Sequence, residues 1–298
     1  MCVVGKDGWL FPVWDEVRRV DFGHLHRVTQ TINEAVTTLH AAKIEVAILL
    51  IPAKSRVYRA FLPDDFKMSA DADRRYGTAL ADLAHSGAIV SDQAALFDAL
   101  RKAQPATEFF FKADTHWMTT GSEPSATELA KQIKEKGHLP PSSKPGSTLG
   151  APTSIRQERN DLAALLPPAE QAKYPFERYN LRSPVASSAQ AGLLDDDAAD
   201  VVVIGNSFVQ PNYGFAAMLS NQLGRPVALN WKVHQFSPYW LMLNYLRSDA
   251  FKRQRPNLIV WNFEEADMET TTDNNGAWGP NAMPPSAFLS DLKRALGG

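Results

Sequence analysis

The chain has 298 residues, 44% hydrophobic and 21% charged, which allows a sizeable core and is unlike a disordered or collagenous polymer. Lys plus Arg number 31 against 33 for Asp plus Glu, so no basic excess offers a footprint for nucleic acid or anionic lipid. Cys2 is the only cysteine, which excludes an internal disulfide and any cysteine-based zinc site, and the longest apolar run, Val46 to Ile51, is far below the ~20 residues of a membrane span.

In chain order, the opening MCVVGKDGWLF lacks the basic start and long apolar core of a signal peptide. Leu25, Val28, Ile32, Val36 and Leu39 then recur at spacings of three or four, which predicts a helix, and EVAILLIP supplies a continuous apolar strand ending at Pro52. Tyr76, Leu80 and Leu83 mark a second helix before the short strand AIV at 88–90. A further helix precedes Phe109-Phe110-Phe111, which reads as a short buried strand.

A helix is expected from about Ser125 to Lys136, followed by LPPSSKPGSTLGAPTS, whose Pro, Ser and Gly content predicts an irregular loop or insertion over about 139–199. DVVVIGNSF returns to a buried strand and a turn. A helix after Gly214, a strand near Pro226 to Leu229, a helix near Tyr239 to Leu246 and the strand NLIVWNF complete the series. Alternation of helices with apolar strands predicts α/β layering around a mostly parallel sheet, in one domain spanning residues 1–298.

Two segments carry residues able to do chemistry. In GNSF, Ser207 stands where a strand gives way to a helix, the edge at which open α/β sheets place ligands, and its own N–H would face an oxyanion formed there. A serine at that junction also suits a helix cap. In DTHW, Asp114 and His116 are two apart, so extended backbone projects both to one side. A serine needs a base to accept its proton, and an imidazole acts best when a carboxylate fixes its tautomer. Together they predict a triad of Ser207 nucleophile, His116 base and Asp114 orienter, built from the ends of two strands of one sheet. Asp114 as a turn cap beside an ordinary surface histidine is the plainer reading. Asp and His are also metal ligands, but His24 and His26 open a helix where residues two apart face different ways, so no metal site is expected.

GKDGWLF at the start, IPAKSRVY at 51–58, DTHW at 114–117 and GNSF at 205–208 occur in the order of the motifs of the AlgX/AlgJ family, which this sequence resembles over roughly residues 5–265. Those are SGNH-hydrolase-like proteins that O-acetylate bacterial exopolysaccharides such as alginate. The resemblance implies a three-layer α/β/α fold of the SGNH-hydrolase type and a periplasmic O-acetyltransferase acting on an exopolysaccharide of the alginate or acetylated-cellulose kind. The family's order is Asp, His, then Ser, whereas ordinary SGNH hydrolases carry Asp and His near the C-terminus. It implies a membrane-bound O-acyltransferase as acetyl supplier, other exopolysaccharide-complex proteins as partners, and neither a dissociable cofactor nor a metal. A signal or anchor removed from the chain would fit that location. Without a second carbohydrate-binding domain, the chain is expected to resemble AlgJ more than AlgX.

Carried over by position, the family's Asp-x-His falls on Asp114 and His116 and its nucleophile on Ser207. Tyr213 matches a tyrosine near the active site, which implies a hydroxyl lining the pocket. Lys54 matches the lysine of the Pro-x-Lys segment, which implies a substrate-binding residue, with a purely structural role as the alternative. Asn206 stands where many relatives have Asp, which should alter the hydrogen bonds of the turn. Trp117, Trp231, Trp240 and Trp261 offer flat rings for sugar stacking, Trp117 foremost because it adjoins the proposed base, so a groove near Trp117 and Tyr213 is the expected acceptor site. A carbohydrate acetylesterase with the same triad, and a non-catalytic carbohydrate-binding subunit of an export complex, are the alternative functions.

Overall fold

The computed structural model describes residues 2–185 and 199–297. An antiparallel pair, β1 (Cys2–Val4) and β2 (Leu10–Pro12), precedes β3 (Glu45–Ile51) and β4 (Ile89–Val90). A second antiparallel pair follows, β5 (Thr153–Arg156) and β6 (Arg178–Leu181), and then β7 (Val201–Gly205), β8 (Val227–Trp231) and β9 (Leu258–Glu264). The five longer-range strands form one parallel sheet in the order β4-β3-β9-β7-β8.

The near-continuous apolar runs follow from burial on both faces of that sheet. Along β3, Ala47, Leu49 and Ile51 point into one core, and Val46, Ile48 and Leu50 into the other. Val201 and Val203 of β7 oppose Val202 and Ile204 in the same way. One face is covered by the helices Gln93–Ala103, Thr119–Lys136 and Phe215–Leu223 through Phe97, Leu129, Ile133, Phe215 and Leu219. The other is covered by Phe22–Ala41, Ala70–Ala84, Pro238–Leu246 and Pro285–Ala295 through residues such as Ile32, Val36, Ala79, Met242 and Leu292. This is the expected three-layer α/β/α arrangement. No helix among the described residues is long and apolar enough to cross a membrane.

The aromatic run 109–111 differs from its expectation. Phe109, Phe110 and Phe111 are fully buried, but they join no sheet. The chain instead folds back on itself: Phe111 N donates to His116 O at 3.1 Å and Met118 N to Phe109 O at 2.8 Å, with a single bridge between Phe110 and Trp117. Three apolar residues carry too little period to separate a strand from one arm of a buried loop. The next helix begins at Thr119, six residues earlier than expected, and accommodates Pro124. Within the Pro- and Ser-rich segment β5 and β6 form their hairpin; residues 186–198 of that segment lie outside the described residues.

Strands β3, β9 and β7 end side by side, and the chain leaves the first and last of them toward opposite edges of the sheet. The carboxyl ends therefore open a crevice at a reversal of strand order, where doubly wound sheets bind their ligands.

Candidate active site

Ser207 is placed by the end of β7. Gly205 closes the strand because a side chain there would collide with Asn262, whose Cβ and Oδ1 lie 2.7 Å from the position of an added Cβ. Asn206 follows and caps the single 3-10 turn Ser207–Val209, its Oδ1 accepting from Phe208 N at 3.0 Å. A second turn, Pro211–Tyr213, and the left-handed Gly214 at φ 71° lead into the helix at Phe215. The cap is thus Asn206, not Ser207, and the serine hydroxyl is left for another partner. That partner is His116: Nε2 lies 2.8 Å from Ser207 Oγ. The Ser207 N–H has no partner among the described residues and stands at the start of the turn, where an oxyanion would meet it.

His116 and Asp114 meet by a different route from the one expected. Asp114 Oδ1 accepts both from His116 N at 3.0 Å and, at 2.6 Å, from the ring at Nδ1. The first is the side-chain-to-backbone bond of an Asx turn, so a local turn rather than extended backbone brings the pair together. The carboxylate and imidazole therefore come from the loop below Phe111, and only the serine comes from a sheet strand.

Burial pushes the Asp114 carboxyl up, but the bonds and charge of His116 and the amides of Asp161 and His116 outweigh it, holding it below its ordinary value. Burial likewise lowers His116, and Asp114 more than restores it, so the imidazole sits above its usual 6.5. A carboxylate on Nδ1 leaves Nε2 unprotonated toward the serine in the neutral ring, the tautomer a general base requires.

The loop is held from below. Lys54, 2% exposed, donates from Nζ to Lys112 O and to Asp114 O, each at 2.9 Å. Burial pulls this amine down to about 7 against four nearby carboxylates, and whether neutral or charged it has donors enough for both carbonyls. Lys54 is therefore a positioning residue under the base, and the expectation that it lines the substrate site is corrected. Trp117 is corrected too. Its ring is fully buried, stacked on Phe215 with centroids 5.8 Å apart, and offers no face to a sugar. Its Nε1 instead donates to Phe208 O at 2.7 Å, and Ser122 Oγ donates to Tyr213 O, so the histidine side of the site is tied to the serine turn by two bonds. Trp261 is also fully buried, while Trp231 and Trp240 are partly exposed. The ring centroid of Tyr213 lies 5.2 Å from that of His116.

Two contributors were not visible in the sequence. Asp161 N donates to the second carboxylate oxygen of Asp114 at 3.0 Å, and its own carboxylate accepts from Thr115 N and Oγ1, both at 2.7 Å. It comes from NDLAALL, a stretch with neither period nor motif, and its contact spans 47 residues. Asp114, His116 and Asp161 each bring one possible ligand atom within 4.8 Å of the others. Those atoms are committed to one another and to Thr115, which makes the set a hydrogen-bonded relay before it is a metal cage. His24 and His26 pair separately, with Asp21 at 3.6 Å and Asp82 at 2.6 Å.

Glu264, at the end of β9, is the second. Its Oε1 accepts from Asn206 Nδ2 at 2.6 Å, and burial raises its carboxyl to about 7. This explains why an amide fits position 206: an aspartate would set two carboxyl groups at that distance and force them to share a proton. In Asn206→Asp the carboxyl pair titrates with a raised folded-state pKa, so the stability that protonation gives is present below about pH 4.5 and lost as pH rises through 7 and above. Melting temperatures across that range should fall more steeply with pH than those of the unaltered protein; parallel curves would remove Glu264 as the partner.

A family model for the SGNH hydrolase-like domain of the acetyltransferase AlgX matches residues 2–265. The chain belongs to this family. It is 28% identical to a probable alginate O-acetylase AlgJ of Pseudomonas syringae pv. tomato, over 98% of this chain and 74% of that protein. Identity to the alginate biosynthesis protein AlgX of Pseudomonas fluorescens is 24%, over 99% of this chain and 64% of that one. Among solved structures, the O-acetyltransferase domain of Pseudomonas putida AlgJ superposes with a TM-score of 0.77 at 25% identity, covering 99% of both chains. Pseudomonas aeruginosa AlgX, at 19% identity and a TM-score of 0.69 over 97% of this chain and 67% of its own, shares the fold.

Proposed function

We propose that the protein is a polysaccharide O-acetyltransferase in which Ser207 carries the acetyl group between donor and sugar. The observation that carries this reading is the unbroken Asp114–His116–Ser207 hydrogen-bond chain, 2.6 Å and 2.8 Å, in a member of the AlgX family.

In the first step Ser207 Oγ attacks the acetyl carbonyl carbon while its proton passes to His116 Nε2. The tetrahedral oxyanion is met by the Ser207 N–H, and its collapse expels the donor's leaving group, which takes the proton from Nε2. In the second step a sugar hydroxyl gives its proton to Nε2 as its oxygen attacks the acetyl carbon, and Ser207 Oγ leaves and recovers the proton. Asp114 stays ionised and stabilises the imidazolium. Burial of the Asp114–His116 pair, 3% and 13% exposed, strengthens that stabilisation, because the charges face little water. The reading places the protein in the periplasm, with acetyl supplied through a membrane-bound O-acyltransferase and an exopolysaccharide of the alginate or cellulose kind as acceptor. It assigns no step to a metal or a dissociable cofactor.

Both transfer and hydrolysis pass through acetyl-Ser207, so the acceptor decides between them. Water is about 55 M, and a transferase prevails by holding the sugar hydroxyl in line, an advantage that positioning supplies in full. The test exposes the protein to an activated acetyl ester and follows intact mass, free acetate and the mass of added oligosaccharides. One acetyl group on Ser207, moving to a mannuronate or cello-oligosaccharide when it is added, is expected. Absence of the adduct would favour a carbohydrate-binding subunit, and acetate as sole product across both oligomers an acetylesterase.

A further inference from the structure

The loops that leave β8, β9 and β7 are tied into one hydrogen-bonded line beside the serine. Glu264 and Asp267 cap the turn Glu265–Glu269 together, each side chain accepting from the other's backbone N–H, Asp267 Oδ2 from Glu264 N at 2.8 Å. Two carboxylates, 13% and 3% exposed, are thereby fixed close to one another. His234 sits against both: its Nε2 lies 2.7 Å from Asp267 Oδ1 and 4.0 Å from Glu264 Oε1. The same Glu264 oxygen accepts from Asn206 Nδ2 at 2.6 Å, and Asn206 Oδ1 caps the turn that presents Ser207.

His234 opens the 3-10 turn His234–Phe236, and its ring packs on Trp278 with centroids 5.1 Å apart. The turn ends on Ser237, a buried non-glycine residue at φ 62° and ψ 133°. Backbone in that region persists only where its surroundings force it. Here Trp261 Nε1 donates to Pro238 O at 3.1 Å and Ser237 Oγ accepts from Tyr239 N at 3.2 Å. The loop is held in a strained shape, and that shape sets the imidazole against the two carboxylates.

We infer that His234 is a positioning residue for the nucleophile: its cation keeps Glu264 between Asp267 and Asn206, so that the Ser207 turn holds its aim at His116. The role rests on the proposed acetyl transfer through Ser207. Without that cation an ionised Glu264 faces Asp267 unopposed, in a place with little water, and is driven away from Asn206. A protonated Glu264 meets no such repulsion. The titratable groups facing Glu264 are His234, Asp267, Asp15 and His116, with Lys54 and Glu265 lining the small cavity beside it. Burial raises the Glu264 carboxyl to about 7. Burial would lower His234, but Asp267 and Glu264 hold it up at about 9. Between those values the unaltered protein keeps an ion pair where a chain without the imidazolium has two opposed carboxylates.

The test follows the rate at which an activated acetyl ester forms acetyl-Ser207 in the intact protein, for His234→Gln and His234→Lys beside the unaltered chain. Relative to the unaltered chain, the His234→Gln rate should fall about 10-fold from about pH 6 to about pH 8.5, as Glu264 ionises. Taking the ratio cancels the titration of His116, which both proteins share. His234→Lys restores the cation and should show no such fall. In a Glu264→Gln background, His234→Gln should lower the rate by the same factor at every pH. Melting curves at both ends of the range confine the comparison to folded protein, and if His234→Gln does not fold, a falling ratio in His234→Lys overturns the role by itself. A flat ratio in His234→Gln, an equal slope in His234→Lys, or a slope that survives Glu264→Gln would each overturn it and leave acetyl-Ser207 standing. No acetyl adduct on the unaltered protein would remove the nucleophile and this role together.

Discussion

Ser207→Ala is expected to lower kcat/KM on a small chromogenic acetyl ester by ~10³-fold or more, with the melting temperature unchanged. The serine lies outside the core clusters, and its turn is capped by Asn206, so removing the hydroxyl leaves the local hydrogen bonds of the fold in place. What is lost is the hydroxyl hydrogen-bonded to His116 Nε2, the atom proposed to carry the acetyl group. His116→Ala and Asp114→Asn should each cost most of the rate, and their combination with Ser207→Ala should cost little more, because the three act as one unit. The unaltered enzyme should show kcat/KM rising with pH through a value above the ordinary 6.5 of histidine. The sign follows from the base role: the imidazole accepts a proton only when neutral, and Asp114 holds the protonated form to higher pH. Undiminished turnover by correctly folded Ser207→Ala, or a rate that falls through that range, would remove the triad.

Glu265→Ala is expected to cause the largest loss of stability, about 3–5 kcal/mol, the usual consequence of orphaning buried charge. Glu265 is fully buried and accepts from Arg56 Nη2 at 2.6 Å, from Arg56 Nε at 2.9 Å, from Arg75 Nε at 3.0 Å and from Ala53 N at 2.9 Å. Both guanidiniums are themselves buried, Arg56 at 7% and Arg75 at 2% exposure. Burial alone would raise the Glu265 carboxyl, but the two arginines hold it below its usual value. Without it, two cations face a cavity at the ends of β3 and β9. Urea denaturation measures the loss, and Glu265→Gln, which keeps an acceptor, should lose less. Equal losses for alanine and glutamine would mean that shape rather than charge holds this corner.

The sheet was legible because EVAILLI, VVVIG and NLIVWNF are buried on both faces, which leaves near-continuous apolar runs broken inside the strands only by Asn262. Strand order was not legible, since apolar runs are interchangeable without their partners. GNSF and DTHW announced Ser207, His116 and Asp114 by residue type and family order, and the structure places their side chains in one hydrogen-bonded line. The supporting residues were hidden for a physical reason. Lys54 and Trp117 have side chains that suit a binding site, and only their burial shows that they brace the loop and the turn instead. Asp161 reaches Asp114 across 47 residues through a segment whose sequence carries no period. Contacts of that kind are made by the closed chain and leave no local trace.

The origin of Asp161 also sets how firmly the site is assembled. The serine hangs from β7, which is paired on both sides within the sheet, whereas the amide that steadies Asp114 belongs to a segment that buries few apolar residues of its own, Leu162 and Ala163 among them. Segments with little buried surface open at a lower free energy than the strands beneath them. The temperature at which the protein stops working should therefore be set by the release of this strap, below the temperature at which the sheet itself melts, and a protease that nicks the strap would silence the enzyme while leaving a folded α/β body behind.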